Sequence, residues 1–152
     1  MNKADLKSLL KILPEVEGKE SERLQKKIKK ELKPISVSSR KAKGRGLQQE
    51  VCRRLSERTG IEWGYDNYEI QPRQMGGAGT DVLLIGRAKE AIPFDIECKN
   101  VESFSLKPTI DQAKANTTEG RIWLIVHKRK GLDPIAILDL EDFLDIFFKA
   151  PD

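Results

Sequence analysis

The sequence predicts an α/β domain of three layers, a central mixed sheet between helices, preceded by a basic helical arm. Three observations carry that reading. The run Val82-Leu83-Leu84-Ile85 is apolar at every position, as in a strand covered on both faces. A strand over 94–99, a helix from Pro108 to about Asn116 and the apolar strand Ile122-Trp123-Leu124-Ile125-Val126 follow one another, the order of a right-handed parallel crossover. Positive charge is concentrated at the amino-terminal end. Residues 1–46 hold 14 Lys+Arg against 6 Asp+Glu, a net of +8, and the remainder holds 14 against 18, a net of −4.

Taken in order, Asp5 is placed to cap a short helix with Leu6, Leu9, Leu10 and Leu13 on one side, ended near Pro14. A second helix over 21–32 carries Leu24, Ile28 and Leu32 at i, i+4, i+8, a narrow stripe that needs a partner surface. Pro34 stops it, and the Ser-, Gly- and Lys/Arg-rich stretch 36–46 reads as a flexible linker. The domain boundary is placed there, giving an arm and linker over 1–43 and a main domain over 44–152.

The main domain opens with a helix over 47–58 that buries Leu47, Val51, Cys52 and Leu55, with Gly60 as its stop. Trp63, Tyr65 and Tyr68, read as core or strand-face aromatics, lead into a strand over 68–72. The loop 74–80 holds three glycines, which let a phosphate backbone approach closely, but no Gly-Lys-Ser/Thr follows, so it is not a Walker loop. Beyond the 122–126 strand, 134–138 reads as a final strand, and Asp139 is placed to cap a closing helix rich in phenylalanine. His127, the only histidine, has no metal partner in the sequence and reads as structural.

A chain of 152 residues allows one domain with a sizeable core and an appendage. No run reaches membrane-spanning length and the first residues lack a signal-peptide apolar region, so a cytoplasmic protein without membrane contact is expected. Cys52 and Cys98 are too few for a zinc site or a disulfide framework and read as reduced core thiols. A basic arm on a moderately acidic body points to a polyanionic partner.

The chemistry gathers between Asp81 and Lys99. In the alternating run Phe94-Asp95-Ile96-Glu97-Cys98-Lys99, Glu97 and Lys99 are neighbours on one face. If that strand lies in mid-sheet, its acidic face is covered, and covered charges need a partner or an ion. Asp81, Glu97 and the Cys98 carbonyl form an all-oxygen set suited to a hard ion such as magnesium. Glu50 lies at the border of its helix stripe, four residues before Arg54, where a surface ion pair is the simpler reading.

A helix with Gly46-Leu47-Gln48-Gln49-Glu50, then the glycine loop and Asp81, then Glu97-Cys98-Lys99, then a helix with Gln112 together resemble the PD-(D/E)xK nuclease superfamily, and within it the archaeal-type and phage-type Holliday-junction resolvases. The resemblance spans about 43–126. Thr80 departs from it, standing where the motif's name has proline. The resemblance implies a restriction-endonuclease-like fold and a magnesium-dependent endonuclease, with manganese as the alternative ion, acting on branched DNA as a homodimer. It implies catalytic roles for Glu50, Asp81, Glu97 and Lys99, metal binding by Asp81, Glu97, the Cys98 carbonyl and Glu50, and DNA contacts from Lys43, Arg45, Arg73 and Gln112. A restriction-like, flap or single-strand nuclease of the same superfamily, or a non-catalytic DNA-binding module on its fold, stays open.

Overall fold

A computed structural model describes residues 2–13, 18–34, 36–74 and 76–149. The chain divides between Val37 and Ser38 into two units. In the first, helix α1 (Lys3–Ile12) packs on helix α2 (Lys19–Leu32), with Leu6, Ser21 and Ile28 buried. The Ser21 hydroxyl donates to the Leu13 carbonyl at 2.8 Å, tying the two helix ends together. α1 starts earlier than expected. Asn2 is its N-cap, accepting from the Ala4 and Asp5 amides, while Asp5 reaches back to the Asn2 amide to complete a capping box. Pro14 lies outside the described residues.

Helix α3 (Val37–Thr59) carries the chain from the first unit into the second, and here the linker expected over 36–46 is corrected: Val37 onward is helical, so the proposed boundary at 43/44 falls inside one continuous helix. Ser and Gly suggested flexibility, but Lys, Arg and Ala are good helix formers, and Gly44 and Gly46 cost only about 1 kcal/mol each. Tertiary contacts offset that cost. Asn100 donates from Nδ2 to the Lys43 carbonyl at 3.0 Å, and Leu47 is 1% exposed. The far end stops as expected at Gly60, in the left-handed region at φ +70°, whose amide donates to the Ser56 carbonyl.

The strands fall into two small sheets rather than one. β1 (Ile70–Pro72) and β2 (Val82–Leu84) pair antiparallel, while β3 (Phe94–Asn100), β4 (Ile122–Lys128) and β5 (Ile135–Ile137) form a mixed sheet in that order. β3 and β4 are parallel, joined through helix α5 (Leu106–Asn116), and β5 is antiparallel to β4. The sheets meet where the Asp81 amide donates to the Ile96 carbonyl at 2.9 Å. β2 pairs with β1 alone, and the run of residues expected to be covered on both faces ends early: Val82 and Leu84 are buried, but Ile85 is 42% exposed as the N-cap of a short helix α4 (Gly86–Ala91) that sequence periodicity did not reveal.

Alternation along β3 and β4 gives their sheet two covered faces. Ile96, Cys98 and Val126 join Leu47, Val51 and Cys52 of α3 in the main core, together with Ile61, Ile70, Val82 and Ile92. Trp123 and Ile125 point the other way and pack with Ala113 of α5. Trp63 packs against the main core, whereas Tyr65 and Tyr68 are exposed, against expectation. Asp139 is the N-cap of helix α6 (Leu140–Phe148) by position, but its side chain does not cap. It accepts from Trp123 Nε1 at 3.1 Å and lies 3.5 Å from Lys114 Nζ, so it anchors the helix to the sheet instead. Among the described residues no helix is long and apolar enough to cross a membrane.

Candidate active site

Asp81 is locked at three points. Its Oδ2 accepts from the Cys98 amide at 2.7 Å, its Oδ1 from Gln48 Nε2 at 2.9 Å, and its own amide is held by Ile96. Burial pushes its carboxyl above the ordinary aspartate range, and the neighbouring Glu97 charge adds to that. The bonds from Cys98 and Gln48 and the Lys99 charge oppose the rise without cancelling it. Such a carboxyl gains from a cation beside it.

Glu97 is 5% exposed because α5 covers its face of the sheet. Its Oε1 accepts from Lys99 Nζ at 2.8 Å and from Gln112 Nε2 at 2.9 Å, and Lys99 also donates to Gln112 Oε1 at 3.1 Å. These three side chains close a hydrogen-bonded triangle. The Lys99 backbone is held in turn: His127 Nδ1 lies 3.1 Å from the Lys99 carbonyl, so Nδ1 carries the proton. The His127 ring rests on Phe104, which gives the lone histidine the structural role expected of it.

The resemblance has Glu50 among the metal-binding residues; here its carboxylate makes the ion pair with Arg54, at 2.8 Å, that the simpler reading of the sequence expects, and a second with Lys128 at 2.6 Å. The Lys128 bond is the main cause holding its carboxyl below the usual range; burial opposes it, and Arg54 assists. Lys128 pairs with Asn100 in register and shares the α3 face of the sheet, whereas Glu97 and Lys99 occupy the α5 face, so the sheet lies between them. Gln48 reaches Asp81 instead. At about 100° per residue the two side chains leave the helix some 200° apart, and only one can face Asp81. Nothing in the type of Gln48 marked it. Its place beside the buried Leu47 was the only available signal.

The cationic candidates divide between two clefts. Lys41, Arg45, Gln48, Arg73, Gln74 and Asp81 line one of about 230 Å³, and Tyr65 lies at an adjoining opening beside Arg45 and Arg73. Lys43 lines another of about 440 Å³ with Asn100, Lys128, Arg129 and Lys130. The glycine loop has an internal use that the sequence did not suggest. Arg73 Nε donates to the Thr80 carbonyl, and the loop wraps the side chain so closely that a Cβ on Gly77 would lie 3.2 Å from its Cγ and Cδ, and one on Gly79 3.2 Å from its guanidinium. Gly79 also sits at φ +99°, which favours glycine.

The donor set suits a hard cation. Asp81 and Glu97 supply two carboxylates, and Glu97 Oε2 lies outside the triangle's hydrogen bonds. N–H and C=O of one strand residue leave on the same edge, so the Cys98 carbonyl shares the edge from which its amide meets Asp81. Among the described residues no three His, Cys, Asp or Glu side chains converge as a metal cage. Magnesium needs none, since it retains water and takes one or two carboxylates. No family model, no characterised protein and no solved structure matches this chain.

Proposed function

We propose that the chain is a metal-dependent DNA endonuclease of the PD-(D/E)xK kind, with a restriction-endonuclease-like core, and that its substrate is branched DNA. The observation that carries this reading is the triangle of Glu97, Lys99 and Gln112 beside Asp81, which sets one ammonium next to two carboxylates. A parallel β3–β4 pair with α3 on one face and α5 on the other supports the fold assignment.

Asp81, Glu97 and the Cys98 carbonyl would hold magnesium, or manganese in its place. When bound, the ion acidifies a water and polarises a phosphate oxygen. Lys99, fixed by Glu97 and Gln112, orients the attacking water and offers a proton donor to the charge that develops on phosphorus. Gln48 keeps Asp81 oriented. Arg45 and Arg73 flank the cleft that ends at Asp81 and suit the scissile strand, while Lys43, Lys128, Arg129 and Lys130 suit a second strand. Cations in two clefts on opposite sides of α3 favour a substrate that presents more than one backbone, as duplex and branched DNA both do, and the resemblance to resolvases is what favours the branched form.

Incubation with four-way junction, flap, single-stranded and linear duplex DNA, with and without magnesium, tests the proposal. Magnesium-dependent cuts in the junction are expected. Cuts only in another substrate would reject the resolvase reading and leave the nuclease. Binding without cleavage in any metal would favour a non-catalytic module, a reading supported by the hydrogen bonds that already occupy both oxygens of Asp81.

A further inference from the structure

Tyr65, expected in the core or on a strand face, is 50% exposed, and the short turn that carries it is built to keep it so. Asp66 and Asn67 both lie in the left-handed region, at φ +45° and +62°, a conformation that these two side chains tolerate better than most. On one side of the turn the Gly64 amide donates to the Ile70 carbonyl at 3.1 Å. A Cβ at Gly64 would lie 2.5 Å from the Tyr68 ring, so only glycine lets that ring close over the turn. On the other side Gln49 Nε2 donates to the Tyr65 hydroxyl. The polar tip of Tyr65 is thereby satisfied by α3, and its ring is left to line an opening beside the Asp81 cleft.

We propose that this opening takes one unpaired DNA base, stacked on Tyr65, from the strand whose backbone lies in the adjoining cleft at Asp81. Tyr65 lines the opening with Arg45, Gln48, Pro72, Arg73 and Gln74, and all of these but Tyr65 and Pro72 also line the Asp81 cleft. Base and backbone of one nucleotide would therefore meet the same two guanidinium groups. At about 230 Å³ the opening is smaller than the roughly 300–1,000 Å³ of pockets that enclose larger ligands, which suits a single flat ring. A tyrosine face stacks on any base, and the glutamine amides both donate and accept at a base edge. A paired base cannot enter, because its own faces are already stacked within the duplex.

Charge separates this tyrosine from its neighbour. Tyr68 is also exposed, but it lines a cleft with Glu62, Asp66, Glu69 and Arg87, where three carboxylates repel a phosphate backbone and the one guanidinium is held by Glu69 at 2.8 Å. Lys41, Arg45 and Arg73 put the opposite charge at and beside the Tyr65 opening. The inference rests on the proposed nuclease reading for the strand at Asp81, and it adds that the protein recognises an interruption of pairing by stacking rather than by base sequence.

Binding to a duplex with one unpaired 2-aminopurine, compared with the same duplex fully paired, tests it in the absence of a divalent ion, so that no strand is cut. The unaltered chain should hold the unpaired form about 5–150-fold more tightly, the range for one stacked base, and should quench its fluorescence. Tyr65→Leu should lose the preference and the quenching while binding the paired duplex as before, with circular dichroism as the check on folding. Tyr65→Phe, which keeps the ring and drops the bond to Gln49, should retain both. Equal binding of the two duplexes by the unaltered chain, or a preference that survives Tyr65→Leu, overturns the proposal and leaves the nuclease reading standing. A loss in Tyr65→Phe as great as in Tyr65→Leu overturns it too, since Tyr65 would then only anchor its turn. If Tyr65 governs the preference but magnesium brings no cleavage of any DNA, the base site stands and the nuclease reading falls.

Discussion

The Lys99 ammonium lies 2.8 Å from Glu97 Oε1, two residues back on the same face of β3, and Gln112 bonds to both. An amine held by two acceptors keeps one position, which is what the proposed role of Lys99 at a phosphate would require. Lys99→Ala should lower cleavage by about 10²–10⁴-fold with DNA affinity nearly unchanged. Single-turnover cleavage measured beside a binding titration checks this, and an equal loss in both would make Lys99 a DNA contact only.

On the proposed nuclease reading, Asp81→Asn and Glu97→Gln should each abolish metal-dependent cleavage while DNA remains bound, because each would remove a ligand charge and leave both basic clefts intact. Metal titration by calorimetry should show weaker binding in both. Full cleavage by either variant would dismiss the site.

Asp95 and Arg121 form a largely buried pair at 2.7 Å, and Arg121 also donates to the carbonyls of Ile92 and Phe94, both at 2.8 Å. Burial raises the Asp95 carboxyl, but the Thr118 amide and Arg121 outweigh it and hold the group below its usual range. A folded-state value below the unfolded one contributes stability that is complete above the unfolded value, about 3.9, and is lost as pH falls through the folded one. Arg121→Ala should cost about 3 kcal/mol at neutral pH. Asp95→Asn should flatten the fall of stability below about pH 4. Denaturant unfolding over a pH series measures both.

Burial pushes the Cys52 thiol up to about 12 and raises Cys98 as well, where nearby Asp81 adds to the effect. In the folded protein at pH 8, Cys52 should react with an alkylating reagent roughly a thousandfold more slowly than a free cysteine. Mass spectrometry over time reads this. Rapid modification of Cys52 without unfolding would contradict the packing of α3 on β3.

Gly46 sits exposed in α3, and a Cβ added there would meet nothing within 4 Å. Gly46→Ala should therefore stabilise the protein by about 0.5–1 kcal/mol, seen as a higher urea midpoint. A flexible linker over 36–46 would leave the midpoint where it was.

Local period and residue order were enough to read several features directly from the chain. Alternation in 94–99 put Glu97 and Lys99 on one face, the apolar run 122–126 with its preceding helix set the parallel β3–β4 pair, and the stripe of Leu47, Val51 and Cys52 gave α3 its buried side. Each is a relation between residues a few positions apart, where backbone geometry alone dictates direction. Tertiary structure decided which side of α3 meets which face of the sheet, and hence that Gln48 rather than Glu50 reaches Asp81. It made 37–46 helical, because an anchor from Asn100 and the burial of Leu47 outweigh a glycine-rich composition. It also separated β1–β2 from β3–β5, drew the Asp139 carboxylate from its helix to Trp123, and left the phenylalanines of α6 outside the core. These outcomes turn on contacts between residues distant in the chain, and no periodicity in the sequence encodes which such contact wins.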